Sequence, residues 1–194
     1  MQVPNERKRK LITDAAARLF ATRAFHKVRL EDIAAEARVG KGTLYVYFQS
    51  KEDLYFALIY DGFAAMVERL KTLLAGDRQS AREALRAIVR ELVAFAFRHP
   101  HYFELTRTVG KVRGRSESAW GRKRHELTDL IEQTLRRGVR LREFADPRPE
   151  LTAMYVPGFV RALLAYGAGG LDENQVAGHI IRLLELGIIP RKAS

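Results

Sequence analysis

Apolar residues recur every three or four positions along most of this chain, and no convincing stretch alternates apolar with polar as a strand would. That periodicity restricts the fold to the all-α class. Leu11, Ile12, Ala15, Ala16, Leu19 and Phe20 form one stripe, with Arg7, Asp14 and Arg18 on the other face, so a first amphipathic helix is expected over roughly Glu6 to Thr22. A short second helix follows over about Leu30 to Ala37, with Ile33, Ala34 and Ala37 inward, and a third over about Lys41 to Tyr47. Ser50 reads as an N-cap, with Glu52 and Asp53 in the first turn of a long fourth helix that reaches about Leu74.

Ala75-Gly76-Asp77 breaks that helix, and Ser80 with Glu83 matches a capping box for a fifth that Pro100 ends. A short helix is expected around His101–Val109, then a basic loop at Gly110–Ser116 and a helix over about Glu117–Arg140. Asp146-Pro147-Arg148-Pro149 precedes a helix to about Tyr166; Gly167–Gly170 closes it, and Asp172 caps a last helix ending near Leu186. About nine helices are expected in two parts: an N-terminal three-helix head over residues 1–50, and a C-terminal helical bundle over 51–194. Little slack separates them at Ser50, so they are expected to share a helix and not a linker.

The stretch GKGTLYVYFQSKEDL, Gly40 to Leu54, carries the functional argument. Two short helices joined by a tight turn form a helix-turn-helix. Leu44 and Phe48, one turn apart, can anchor the second helix in the core. Lys41, Thr43, Tyr45, Val46 and Tyr47 are then left to project. Gly40 can cap, and Gly42 removes bulk where a backbone must approach another surface. A DNA major groove about 12 Å wide admits one such helix. Lys41 and Lys51 supply charge for phosphates, and Thr43, Tyr45 and Tyr47 supply hydroxyl donors. The formal net charge of +11 suits a polyanionic partner.

The segments ITDAAARLFATRAF, LEDIAAEARV and GKGTLYVYFQSKEDL, about Leu11 to Leu54, resemble the TetR family of one-component bacterial transcriptional regulators. The remainder resembles it in helix count, length and order. The resemblance implies a DNA-binding head on a dimerising, ligand-binding body, and a repressor that leaves its palindromic operator when a small molecule binds. It places Lys41, Gly42, Tyr45 and Val46 nearest base edges, and Thr43, Tyr47 and Lys51 at phosphates. Three positions depart from the family pattern. Arg29 stands where threonine is usual; it cannot cap the second helix but could hold a phosphate. Gly40 stands where a polar residue is usual. Arg38 stands where glycine is usual in the turn, and a positive φ there costs of order 1 kcal/mol.

The eighth expected helix carries Leu151, Met154, Tyr155, Val156, Phe159, Val160, Leu163 and Leu164 around most of its circumference, and so needs burial on more than one side. The last helix has Val176, Ile180 and Leu183 on one stripe, widened by Ala177, Ile181 and Leu184. These two helices are expected to meet their symmetry mates in a homodimer. By the resemblance, aromatic residues of the body line a pocket for an apolar effector. The candidates are Phe63, Met66, Phe95, Tyr102, Phe103, Trp120, Tyr155 and Phe159.

No enzyme chemistry is expected. Gly40-Lys41 lacks the glycine at Ala35 and the hydroxyl at Gly42 that a phosphate loop needs. No histidine pair has the i, i+4 spacing of a helical zinc motif, so neither a metal nor any other cofactor is expected. The chain has no cysteine, which removes disulfides and thiolate ligands and fits a cytoplasmic setting. Asp14 and Arg18 interrupt the apolar run after Lys10, so no signal segment is expected. No stretch approaches the ~20 apolar residues of a membrane span, and Arg161 interrupts the most apolar candidate, Met154–Ala168, so no span is expected. The competing function is a sequence-indifferent basic DNA binder.

Overall fold

The computed structural model describes residues 5–76, 79–99 and 115–189. Among them are eight α-helices and no strand: α1 (Glu6–Thr22), α2 (Leu30–Glu36), α3 (Lys41–Tyr47), α4 (Lys51–Leu74), α5 (Ala81–Arg98), α6 (Arg115–Arg140), α7 (Pro149–Tyr166) and α8 (Glu173–Ile188). The short helix expected at 101–109 lies outside the described residues. No helix among the described residues is long and apolar enough to cross a membrane.

The caps follow from side-chain chemistry. The Asn5 carboxamide accepts from the Arg7 N–H at 2.8 Å and starts α1. Ser50 Oγ accepts from the Asp53 N–H at 3.0 Å. Ser80 with Glu83, and Asp172 with Gln175, close full capping boxes at α5 and α8. At α2 the box is half made. The Asp32 carboxylate accepts from the Arg29 N–H at 3.1 Å, but the Arg29 guanidinium has no acceptor to offer in return and stays exposed.

The chain forms two compact units, Met1–Gly62 and Phe63–Ser194, with the division inside α4. The first is built on Ile12, Ala15, Ala16, Leu19, Val28, Ile33, Ala34, Leu44, Phe48 and Leu54. Phe20, Phe25 and Tyr55 pack as an aromatic trio beside it, with centroids 4.9–5.5 Å apart. Leu54 and Tyr55 therefore bring the first turns of α4 into this unit, beyond the expected boundary at Ser50. Leu11 corrects the expected stripe of α1: it is exposed, while Thr13 is buried and donates its hydroxyl to the Lys10 carbonyl.

In the second unit α5 packs against α6, α7 and α8, and α6 packs against α7. Its apolar face is buried from Ala81 to Ala96. A half-buried cluster of cation–carboxylate pairs joins Glu68, Lys71, Lys123 and Glu126. At the end of α5, burial and the nearby Arg98 charge push the His99 imidazole down from its ordinary 6.5 to about 4. The ring rests on Phe95, centroids 4.6 Å apart. Between those two values the unfolded chain binds more protons at His99 than the folded one, so folding stability rises with pH there. A His99→Gln variant should show a flatter melting temperature between pH about 4 and 6.5 than the wild type. An unchanged slope would show that His99 does not set it.

Candidate nucleic-acid interface

The turn between α2 and α3 determines where α3 points. The Val39 N–H donates to the Ala34 carbonyl at 2.9 Å, and the Arg38 N–H to Ala35 at 3.0 Å. This pairing is a Schellman motif, which requires a left-handed residue at its centre. That residue is Arg38, at φ +54°. An L side chain there costs about 1–2 kcal/mol, partly offset in any glycine replacement by the greater freedom of an unfolded glycine. Arg38→Gly should therefore raise the urea midpoint by the equivalent of about 0.5–1 kcal/mol. A lower midpoint would mean that the Arg38 side chain makes a compensating contact.

α3 is pinned as its spacing suggests. Leu44 is fully buried and Phe48 nearly so. The opposite face carries Lys41, Gly42, Tyr45 and Val46, all exposed. Nothing lies within 4 Å of a Cβ placed on Gly42. A glycine inside a helix costs about 1 kcal/mol relative to alanine, and no close contact among the described residues calls for one here. Gly40, the N-cap, is likewise free of tight contacts.

The remaining expected contact residues are not all free to project. Thr43 and Tyr47 are half-buried. The Tyr47 hydroxyl accepts from the Asn5 N–H at 2.8 Å, joining the end of α3 to the start of α1 and keeping its own hydrogen available. Lys51 differs more from expectation. Its ammonium donates to the Phe25 carbonyl at 2.8 Å and the Val28 carbonyl at 3.0 Å, and lies 4.3 Å from the Phe25 ring centroid. Two of its three N–H donors thus brace the segment leading into α2. Lys41 keeps its charge outward but pairs with Glu31, Nζ to Oε1 2.6 Å. The Glu31 hydrogen bond holds the Lys41 ammonium above its ordinary range, and the same bond holds the Glu31 carboxyl below its own. Glu31 had no signal in the sequence beyond its place in the first turn of α2.

The candidates for a small-molecule site divide in two. Phe63 lies 5.5 Å from Phe95 and 5.2 Å from Trp120, centroid to centroid, and Met66 is fully buried. Phe159 is half-buried. Tyr155 is 61% exposed on α7, on the outer surface of the single chain and away from the interior expected for it. Tyr102 and Phe103 lie outside the described residues.

Comparison with known proteins supplies independent findings. Residues 12–58 match the family model described as bacterial regulatory proteins, tetR family. Residues 78–188 match the model described as the tetracyclin repressor-like C-terminal domain. The Fatty acid metabolism regulator protein of Bacillus subtilis (strain 168) is 31% identical over 78 residues, 40% of this chain and 40% of that protein. The chain thus matches well under two thirds of that relative's length. A transcriptional regulator of the TetR/AcrR family from Thermobifida fusca YX-ER1 superposes with a TM-score of 0.75 at 25% identity, over 93% of this chain and 97% of that one. AibR, in complex with isovaleryl coenzyme A and operator DNA, superposes with a TM-score of 0.63 at 21% identity, over 91% and 97% of the two chains.

Proposed function

The chain belongs to the tetR family of bacterial regulatory proteins, and from that membership we propose that it is a ligand-responsive repressor that binds a palindromic operator as a homodimer. The observation that carries this reading is the outward face of α3, where Lys41, Gly42, Tyr45 and Val46 are exposed together on a helix anchored by Leu44 and Phe48. In this reading those four lie nearest base edges. Thr43, Tyr47 and Arg29 reach phosphates, and Lys51 contributes its one remaining N–H. Residues 1–50 form the reading head, with the first turns of α4 packed into the same unit, and the rest of 51–194 senses and dimerises.

The dimer rests on α7 and α8. Leu151, Met154, Tyr155 and Tyr166 on α7, and Leu183 and Leu186 on α8, are exposed in the single chain. Apolar groups of this size gain by leaving water. Two such helices from each protomer make a C₂ interface that sets two reading helices at successive turns of the groove.

The effector has an apolar body held among Phe63, Met66, Phe95, Trp120 and Phe159. Acyl thioesters of coenzyme A are the first compounds to try, since AibR is seen with one and a sequence relative regulates fatty acid metabolism. Their binding shifts α4 and changes the spacing of the two heads. Binding of the full chain to a random-sequence duplex pool, followed by sequencing, tests the DNA-reading part. An enriched palindrome is expected. Binding without enrichment would leave only a basic, sequence-indifferent DNA binder.

A further inference from the structure

We propose that Glu31 is a specificity-determining residue of the α3 surface: its carboxylate holds the Lys41 ammonium beside the base-facing side chains and denies it to phosphate. The inference rests on the DNA-reading function proposed above and adds to it a residue from outside α3.

Glu31 sits in the first turn of α2, and Lys41 is the first residue of α3. The pair closes at 2.6 Å across the turn. Both side chains remain more than half exposed, at 52% and 59%. Exposed pairs of this kind contribute about 0–1 kcal/mol to folding, and α2 and α3 are already fixed by Ile33, Ala34 and Leu44 in the core. The consequence of the pair therefore lies in what it does to the surface. The Lys41 ammonium also sits 6.0 Å from the Tyr45 ring centroid. Glu31 thus fixes the ammonium near Tyr45, one of the exposed side chains of α3.

An ammonium has three N–H donors. One stays on Glu31, and two remain for acceptors such as guanine O6 and N7 on a base edge. A flexible free lysine would instead take any phosphate within reach, which favours all sequences alike. A carboxylate at the same point repels phosphate and leaves the ammonium locally neutralised. Lys41 then gains from DNA only where a base presents acceptors in line with its two remaining donors. Glu31 acts through Lys41, so it is a positioning residue.

The test measures anisotropy of two labelled duplexes of equal length, one enriched from a random pool by the wild type and one scrambled. The proteins are the full-length wild type, Glu31→Gln, Lys41→Ala and the double variant. Both side chains are exposed, and coincident thermal melts will establish that all four proteins fold. Glu31→Gln should bind the scrambled duplex about 3–10-fold more tightly, with a salt slope steeper by roughly one phosphate contact. Its preference for the enriched duplex should fall about tenfold. In the Lys41→Ala background, Glu31→Gln should leave that preference unchanged. An unchanged preference in the single variant, or an equal loss in both backgrounds, overturns the proposal while the DNA-reading function stands. A wild type that enriches nothing overturns both.

Discussion

Leu186→Glu combined with Met154→Asp should convert the protein from a dimer to a monomer at micromolar concentration, and should cut operator affinity by about 10²–10⁴-fold. Met154 is 64% exposed in the single chain and Leu186 is 68% exposed. A charge at either place costs the isolated protomer within about 0.5 kcal/mol, the usual range for surface substitutions. In the proposed interface the same charges leave water without a partner. A C₂ axis duplicates each of them, so the pair of substitutions buries four. Loss of the dimer removes the linkage that makes binding of the second head an intramolecular event. Sedimentation of the variant and wild type reads the first effect, and titration of an enriched duplex reads the second. A variant that remains dimeric with unchanged affinity would place the interface elsewhere.

Gly138→Ala should destabilise the protein by about 3 kcal/mol, against the sign that helix propensity alone would give. Gly138 lies in α6, where alanine is ordinarily better by about 1 kcal/mol. A Cβ at this position would stand 2.1 Å from Cδ2 and 2.5 Å from Cε2 of Phe144. The ring is buried, with 2% exposure, so it has no solvent to retreat into. The Gly138 carbonyl also accepts from the Glu143 N–H at 2.8 Å and the Phe144 N–H at 3.1 Å. These bonds close the end of α6 around Arg142, at φ +59°, and hold Phe144 against the helix. Accommodating a methyl group means moving the ring, these bonds or both. Gly121 supplies the control in the same helix, because no described residue lies within 4 Å of its added Cβ. Gly121→Ala should stabilise by up to about 1 kcal/mol. Calorimetry should show the two substitutions moving the melting temperature in opposite directions. A stabilised Gly138→Ala protein would contradict the packing described.

Local chemistry was the part of the fold most readable from sequence. Ser50, Ser80 with Glu83, and Asp172 cap the helices that their types and positions suggest, because capping bonds span only three residues. Leu44 and Phe48 were identifiable as anchors because i, i+4 spacing fixes a shared helical face. Arg38 was marked as a strained turn residue by the family resemblance, which puts glycine at that place.

What escaped the sequence depends on distant partners. The acceptors of the Lys51 ammonium lie 26 and 23 residues earlier, so its bracing of the segment before α2 has no local signal. Glu31 and Lys41 meet only once the Arg38 turn has closed. Tyr155 and Met154 belong to a helix apolar nearly all round, where periodicity cannot say which side faces its own core. Leu11 shares the spacing of the α1 core residues but lies at the margin of the stripe and is exposed. Gly138 reads as a weak point in a helix until Phe144 is seen against it.

The central claim is that the exposed face of α3 reads DNA sequence. Its most direct test is to repeat the random-pool selection with Tyr45→Ala beside the wild type. Tyr45 is exposed, so its truncation leaves the core of the head intact. The account predicts a palindrome from the wild type, and from the variant the same palindrome with base preference relaxed at one position and at its symmetric mate. An identical motif from both proteins would contradict it.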